Sequence, residues 1–315
     1  MGERSLIERI RRRAGGGSAV ITGIGDDCAV LRVPKGHDLL VTTDFTLENV
    51  HFRREWHGPE VVGWRCLTRG LSDIAAMGGV PRAAFLSLAI EREVPQRWVT
   101  RFLAGLLEAA KEFRVSLAGG DTAQSAGGIQ ADIIVVGSVP MGKAVLRSGA
   151  RPGDLIYITG ELGGSAAAIA RLREGKVRAA DYERHFHPVA RVQTGQWLRG
   201  RGLASAIIDL SDGLSTDLEH ICQESGVGAV VEAAAIPRAR VGRPAEQVRL
   251  DLALHGGEDY ELLFTSAKKI PAKVAGVLVT RVGRITRRRE IVLVDEDGRR
   301  RRLAARGWEH FKGNS

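Results

Sequence analysis

The sequence lacks several features that would assign it to a common class. Aromatic residues make up 5% of its 315 residues, and no apolar run reaches the roughly 18 residues that a membrane-spanning helix needs. Its three cysteines, Cys28, Cys66 and Cys222, match no metal-ligand spacing and cannot all pair, which predicts reduced thiols in a cytoplasmic protein. The stretch MGERSLIERIRRR carries no apolar signal core, so export is not expected.

The standard nucleotide-binding motifs are also missing. The sequence contains no G-x-x-x-x-G-K-[ST] loop and no kinase set of glycine-rich loop, lysine and H-R-D. The GGGS stretch at residues 15–18 has no flanking strand and no lysine, which is typical of a flexible loop. Any nucleotide site in this chain must therefore depend on carboxylates, metal ions and the amides of glycine-containing loops.

The chain is rich in apolar residues (44%) and in glycine (39 residues), and its formal net charge is +9. Its length predicts two domains. Strand and helix patterns alternate, which indicates the α/β class, and a dense turn between residues 140 and 152 marks the boundary. We predict an N-terminal domain over residues 1–145 and a C-terminal domain over residues 146–315.

Part of the positive charge lies in arginine runs. Solvated surface is their simplest interpretation, and binding of nucleic acid or of phosphorylated small molecules is the alternative. The runs cover residues 11–13, 287–289 and 299–302.

Aspartates recur where apolar strands are predicted to end. Each one alone is more simply a turn former or a helix cap. Four sites with the same arrangement instead favour a ligand site, because the loops after strands form such sites in α/β folds. The sites are Asp26–Asp27 after a Gly-Ile-Gly turn, Asp44 after the strand at 38–43, Asp121 after Gly119–Gly120, and Asp209 with Asp212 after the strand that begins at Ala206.

A fifth carboxylate, Asp73, falls inside a helix predicted to begin at Pro59 and to end at Gly78. Its neighbours on that helix are mostly small and apolar, and Arg69 lies one turn away. A carboxylate in such surroundings needs a partner, which is either Arg69 or a ligand.

All of these carboxylates are hard oxygen ligands, and no histidine or cysteine is spaced among them, which argues against zinc. Magnesium prefers carboxylates, hydroxyls, waters and phosphates. Thr42, Thr43 and Ser211 add hydroxyls beside the carboxylates. The pattern favours more than one Mg²⁺ around a nucleotide polyphosphate, since metal ions offset the repulsion between carboxylates and phosphates.

Seven short stretches occur in a fixed order along the chain: GIGDDCAV, VTTDFTLENVHF, LSDIAAMGG, AGGDT, MGKAVLRSGARPGD, IDLSDGLSTDL and GGEDYELLF. Each stretch is modest alone, but seven in order are highly specific. With them the chain resembles the thiamine-monophosphate kinase family, which is related to aminoimidazole ribonucleotide synthetase and selenophosphate synthetase, and the resemblance runs from about residue 6 to Phe311.

The resemblance implies a two-domain α/β (α+β) fold of the aminoimidazole ribonucleotide synthetase type, whose N-terminal domains pair into a barrel-like homodimer. It implies transfer of the γ-phosphate of ATP to thiamine monophosphate, giving thiamine diphosphate and ADP, as the final step of thiamine diphosphate biosynthesis. The cofactor would be Mg²⁺, as several ions, with no nucleic-acid or membrane partner and a cytoplasmic location.

The resemblance also implies roles for individual residues. Magnesium-binding positions of the family match Asp27, Thr42, Thr43, Asp44, Asp73, Asp121, Asp209 and Asp212, of which Asp44, Asp73, Asp121 and Asp212 would be catalytic. ATP-site positions match Gly120, Asp121, Arg147 and Ser211. Positions that hold the thiamine phosphate match His51, Glu258 and Trp308.

Residue chemistry is compatible with these roles, although each has a simpler reading. The ring of Trp308 could stack on a cationic thiazolium, a cation–π contact worth about 0.5–2 kcal/mol. The simpler alternative is a core residue at a helix end. Glu258 complements a positive ring or is a turn carboxylate. His51 donates to a phosphate or packs in a loop, and Arg147 binds a polyphosphate or is a surface arginine.

No dedicated base is needed for this reaction, because the second pKa of a phosphate monoester is about 6 and its oxygen is already anionic. We therefore expect direct in-line transfer without a phosphoenzyme.

Two positions depart from the family pattern. Glu48 stands where the family commonly has glycine before the histidine, and Gly70 stands where it often has asparagine before Leu-Ser-Asp. Because of the first, the family pattern does not fix the conformation of the loop around His51. The second removes a side-chain hydrogen bond that asparagine could make near Asp73.

The main alternative is another ATP-dependent enzyme of the same superfamily. Selenophosphate synthetase typically carries a reactive cysteine or selenocysteine in a glycine-rich N-terminal segment, and residues 15–18 contain none. Aminoimidazole ribonucleotide synthesis would not require the VHF and GWEHF stretches. A nucleic-acid-binding protein would use the arginine runs and leave the aspartates unexplained.

Overall fold

Two units of mixed helix and strand make up the chain, which the computed structural model describes over residues 10–13, 18–24, 28–175 and 177–309. One unit comprises Met1–Ile74 and Gly79–Lys143, and the other comprises Ala75–Gly78 and Ala144–Ser315. The mixed α/β class expected from the sequence is confirmed. No helix among the described residues is long and apolar enough to cross a membrane, and all three cysteines are unpaired, as predicted.

The helices and strands follow the alternation read from the sequence. The labelled helices are α1 (Pro59–Ala76), α2 (Gln96–Glu112), α3 (Gly164–Glu174), α4 (Glu183–Phe186), α5 (Val192–Gly200), α6 (Leu214–Ser225) and α7 (Leu250–His255). The strands of the first unit are β1 (Val20–Thr22), β2 (Val30–Leu31), β3 (His37–Leu47), β4 (Val80–Ile90), β5 (Ser116–Gln124) and β6 (Gln130–Pro140). Those of the second unit are β7 (Leu155–Thr159), β8 (Ala206–Asp209), β9 (Gly228–Glu232), β10 (Arg240–Val241), β11 (Glu246–Gln247), β12 (Leu262–Ser266), β13 (Lys273–Val274), β14 (Val277–Thr286), β15 (Ile291–Val294) and β16 (Arg300–Arg302).

The first unit is built on a four-stranded sheet with the order β3-β6-β4-β5. Strands β3 and β4 both pair antiparallel with β6, and β5 pairs parallel with β4. One face of β3 carries the buried Leu40 and Thr46, whereas the alternate residues Leu39, Val41 and Phe45 are half exposed. The sheet therefore has one covered face and one open apolar face at its β3 edge.

Two of the predicted strand ends are wrong. Strand β3 continues three residues past Asp44, and β5 runs through Gly119, Gly120 and Asp121 instead of ending before them. In β3, an eleven-residue ladder with β6 holds the strand extended. In β5, Gly120 has φ +146°, and a Cβ there would lie 1.9 Å from the Leu86 oxygen, so the glycine allows close strand pairing rather than a turn.

The second unit contains a larger sheet with the path β16-β15-β9-β14-β7-β12-β8, to which β13 adds beside β14. Strand β8 ends on Asp209 as predicted and lies at one edge of this path. Strands β10 and β11 pair with each other as a separate two-stranded sheet, and helix α7 begins after them at Leu250.

Candidate functional site

In the first unit, strand β3 and helix α1 bring two predicted metal ligands into contact. The hydroxyl of Thr42 donates a short hydrogen bond to the carboxylate of Asp73. Two residues further along β3, Asp44 accepts a hydrogen bond from Arg69 Nε at 3.0 Å, and the same ion pair brings Arg69 Nη2 to 2.9 Å from the carboxylate. Thr42 and Asp44 lie on the same face of the strand because side chains alternate. The covered face thus gathers Thr42, Asp44 and Asp73, together with one arginine.

The remaining predicted ligands of this unit are not gathered there. Thr43 is exposed on the opposite face of β3, so its hydroxyl does not join that of Thr42. Asp121 is exposed on β5, the far edge of the sheet. Asp44 and Gly120 lie in one row across four strands, through Ile133 and Leu86. Three strand spacings of about 4.8 Å put these edges roughly 14 Å apart. Asp27 lies outside the described residues.

The loop that carries His51 is held by Glu48, the residue that departs from the family pattern. Its carboxylate accepts hydrogen bonds from Arg54 Nε at 2.5 Å and from the Ile129 backbone N–H at 2.9 Å. His51 Nδ1 accepts a hydrogen bond from the Leu47 N–H at 3.0 Å. Because Nδ1 is the acceptor, the proton of the neutral ring is on the other nitrogen, Nε2. Glu48 thus fixes this loop through side-chain hydrogen bonds that a glycine at the same position could not make.

Gly70, the second departure, has a packing reason. A Cβ at this position would lie 2.6 Å from Cγ2 of Val135. Helix α1 therefore packs closely on strand β6 at the turn before Asp73, which leaves no room there for asparagine.

In the second unit, the loop after β8 is joined to the segment after α7 by backbone hydrogen bonds. Glu258 N–H donates to the Ser211 oxygen at 2.8 Å, and Tyr260 N–H donates to the Leu210 oxygen at 2.9 Å. A Cβ on Gly257 would lie 2.4 Å from the Ser211 oxygen, so only glycine permits this approach. Glu258 itself has φ +63°, an uncommon conformation for a residue with a side chain. The pairing places Glu258 beside Ser211.

Asp217, which sequence reasoning did not select, braces the same loop. Its carboxylate accepts the backbone N–H groups of Asp212 at 3.2 Å and of Gly213 at 2.9 Å from the first turn of α6. Burial raises the pKa of Asp217 well above its usual range, and the negative charges of Asp209 and Asp212 raise it further. The charges of Asp209 and Asp212 are therefore close enough to disfavour the ionised form of Asp217. The sequence did offer a signal for Asp217, because it lies five residues after Asp212 within the IDLSDGLSTDL stretch.

Trp308 reaches this loop through its backbone. Its N–H donates to the Asp212 oxygen at 3.0 Å, and the preceding Gly307 N–H donates to Thr216 Oγ1 at 3.0 Å. Trp308 is 52% exposed, so part of the residue faces solvent. The second unit thus brings together Asp209, Ser211, Asp212, Glu258 and Trp308.

Two buried carboxylates, Asp259 and Glu261, follow Glu258 in the chain. Asp259 accepts the backbone N–H groups of Gly163 at 2.7 Å and of Ser165 at 3.3 Å, at the start of α3, and burial raises its pKa to about 7. Glu261 is bound by Arg191, with Nε at 2.6 Å, and by Thr159 Oγ1 at 2.6 Å. Burial outweighs these favourable contacts and raises the pKa of Glu261. These contacts tie the strained 258–260 segment to α3 and β7.

Arg147 lies on the loop before β7 and is exposed. The preceding residue, Leu146, accepts a hydrogen bond from Ile207 N–H at 3.1 Å, which joins this loop to the edge strand β8 two residues before Asp209. Among the described residues, no carboxylate forms an ion pair with Arg147. Its charge is available for an anionic ligand.

Metal binding fits the chemistry of these residues. The donors are carboxylate and hydroxyl oxygens, which suit Mg²⁺. In the part of the chain that the structure describes, no group of three or more His, Cys, Asp or Glu side chains is arranged to hold a metal ion.

Comparison with known families defines the class. Residues 25–139 match the model for AIR synthase related protein, N-terminal domain, and residues 151–296 match the model for AIR synthase related protein, C-terminal domain. The thiamine-monophosphate kinase of Escherichia coli K12 is 38% identical over 328 residues, covering 98% of each chain.

Solved structures agree with this classification. The crystal structure of thiamine-monophosphate kinase from Stenotrophomonas maltophilia superposes with a TM-score of 0.82 at 35% identity, covering 95% of this chain and 97% of that one. A structure described as AaThiL complexed with AMPPCP and TMP gives a TM-score of 0.78 at 31% identity, with coverage of 98% and 97%. The chain belongs to the thiamine-monophosphate kinase family, within the AIR synthase related proteins.

Proposed function

We propose that this chain transfers the γ-phosphate of ATP to thiamine monophosphate, giving thiamine diphosphate and ADP. The observation that carries the proposal is the convergence in the second unit of Asp209, Ser211, Asp212, Glu258 and Trp308 on one braced loop. These are the positions at which the family resemblance puts metal, nucleotide and substrate contacts. The structure of AaThiL with AMPPCP and TMP supports the same pair of substrates.

The residues have distinct tasks in this scheme. The exposed indole of Trp308 and the carboxylate of Glu258 hold the cationic thiazolium. Arg147, Ser211 and the Gly120–Asp121 backbone bind the polyphosphate, and His51 donates from Nε2 to the acceptor phosphate. These contacts align the acceptor oxygen with the γ-phosphorus and offset the repulsion between the two anions.

The transfer itself needs no proton to be removed from the acceptor. An anionic phosphate oxygen of thiamine monophosphate forms a bond to the γ-phosphorus while the bond to the β–γ bridging oxygen breaks, and ADP leaves with that oxygen and its electron pair. A covalent phosphoenzyme found in a rapid quench with labelled ATP would contradict this direct path.

Magnesium is proposed as the cofactor. Asp27, Thr42, Thr43, Asp44, Asp73 and Asp121 of the first unit, with Asp209 and Asp212 of the second, are the residues that would hold several ions. When bound, Mg²⁺ neutralises charge on the transferring phosphoryl group. Because Asp44 and Asp121 lie on opposite edges of their sheet, they serve different ions in this proposal.

An acceptor assay tests the function directly. With ATP and Mg²⁺, we expect turnover of thiamine monophosphate to thiamine diphosphate and none of free thiamine, because free thiamine has no anionic phosphate oxygen. Chromatographic separation of the thiamine species gives the readout. Phosphorylation of free thiamine without any of the monophosphate would overturn the proposal.

We also propose that the chain is a cytoplasmic homodimer joined through the open face of the first-unit sheet. Leu39, Val41 and Phe45 are 50%, 60% and 55% exposed on β3. These large apolar side chains, with Thr43 between Val41 and Phe45, lie exposed on an edge strand, which is unfavourable in water and favours pairing with another copy.

Replacing Leu39 and Val41 together by Asp is expected to give a monomer in sedimentation velocity at micromolar concentration, because the two charges would have to be buried in the dimer. The matched control is Leu278→Asp, at a residue that is 59% exposed on β14 of the other unit. It should leave the mass unchanged. A monomeric wild type, or a double variant that stays dimeric, contradicts this interface.

A further inference from the structure

Ser225, the last residue of α6, binds three backbone groups of the loop that carries Arg147. Its Oγ accepts the N–H groups of Gly149 and Ala150, each at 3.1 Å, and donates to the Arg147 carbonyl oxygen at 3.1 Å. A hydroxyl has one donor and two acceptor positions, so all of its hydrogen-bonding capacity is used on this loop. Ser225 is not among the site residues that the family resemblance implies.

The loop is fixed on its other sides as well. Gly149 has φ +145°, and a Cβ there would lie 2.3 Å from the Ser205 oxygen, so the backbone packs against the start of β8. The backbone oxygen of Leu146, the residue before Arg147, accepts a hydrogen bond from the Ile207 N–H. The backbone of Arg147 is therefore held on both sides while its side chain remains exposed.

We propose that Ser225 is a positioning residue that orders the backbone of Arg147 for binding of the nucleotide polyphosphate, an inference that rests on the ATP-binding role proposed for Arg147. An arginine on an ordered backbone loses less conformational freedom when it binds phosphate than one on a mobile loop. Ser225 does not touch the nucleotide in this scheme and acts only through Arg147.

The first measurement is equilibrium binding of AMPPCP with Mg²⁺ by calorimetry, which does not depend on which acceptor the enzyme uses. Ser225→Ala should raise the Kd roughly three- to tenfold, the cost expected for ordering one long side chain and its loop on binding. Ser225→Thr keeps the hydroxyl and should restore most of the affinity.

The matched control is Glu224→Ala, because Glu224 is the neighbouring exposed residue of α6. It should leave both the Kd and the melting temperature unchanged. If Ser225→Ala lowers the melting temperature but leaves the Kd at the wild-type value, Ser225 is merely structural and the inference is overturned.

A double-mutant cycle separates the positioning role from the role of Arg147. Arg147→Ala alone should raise the Kd for AMPPCP, and Ser225→Ala should then add nothing further, because the residue that it positions is gone. Additive effects would overturn the inference, and so would an unchanged Kd in Arg147→Ala. Failure of the thiamine monophosphate assay would instead reject the proposed function and would not alter the outcome of the cycle.

Discussion

Asp212→Asn is expected to lower kcat for thiamine monophosphate by roughly 10²–10³-fold or more, the cost of removing one preorganised electrostatic group from an active site. Asparagine has nearly the same shape but lacks the charge that would bind Mg²⁺. The contacts that Asp212 makes with Asp217 and Trp308 use its backbone N–H and C=O groups, which the substitution keeps. The variant should therefore fold normally while losing activity.

The measurement is kcat over a Mg²⁺ titration, with circular dichroism as the check on folding. Asp251→Asn is the matched control, because Asp251 is half exposed on α7 and pairs with the exposed Arg249. It should keep wild-type turnover. Near-wild-type activity of Asp212→Asn at limiting Mg²⁺ would show that Asp212 is not part of the site.

Arg191→Met is expected to have the largest effect on stability, a loss of about 3–5 kcal/mol, because it leaves Glu261 buried without its charged partner. Both side chains are almost fully buried, at 6% and 3% exposure. The expected loss appears as a lower midpoint of urea denaturation. Arg249→Met, which removes the exposed pair with Asp251, should cost at most about 1 kcal/mol.

The effect of Arg191→Met should depend on pH. The pKa of Glu261 is already raised by burial, and loss of the arginine raises it further. A carboxyl whose pKa is higher in the folded state holds its proton more tightly there, so stability falls as pH rises above the ordinary range of glutamate, about 4.3. Arg191→Met should thus lose more stability at pH 8 than at pH 5.

The double variant Arg191→Met with Glu261→Gln should recover part of the loss and remove this pH dependence, because no buried charge remains. A single variant as stable as Arg249→Met, or one whose loss is the same at pH 5 and pH 8, would contradict this account of the pair.

Much of the local structure followed from sequence pattern, and the errors have physical causes. Helix α1 and strand β8 were predicted near their observed bounds because apolar periodicity and flanking glycines are local signals. The ends of β3 and β5 were predicted wrongly because aspartate and paired glycines commonly mark turns. Here, pairing with β6 and β4 holds both segments extended. The same short motif also takes two forms, since Leu71-Ser72-Asp73 lies in α1 and Leu210-Ser211-Asp212 follows β8 as a loop.

The sequence by itself determined the family, the α/β class and the acidic residues of the proposed site, because these depend on residue identity and order. Only the tertiary structure decided which of those residues meet. It joined Thr42 to Asp73 and Asp44 to Arg69, it placed Asp121 at the far edge of the same sheet, and it brought Glu258 and Trp308 onto the Asp209–Asp212 loop. It also revealed Glu48, Asp217 and Ser225 as braces. These contacts join residues far apart in the chain through backbone hydrogen bonds and close packing, which one sequence does not encode in any local pattern.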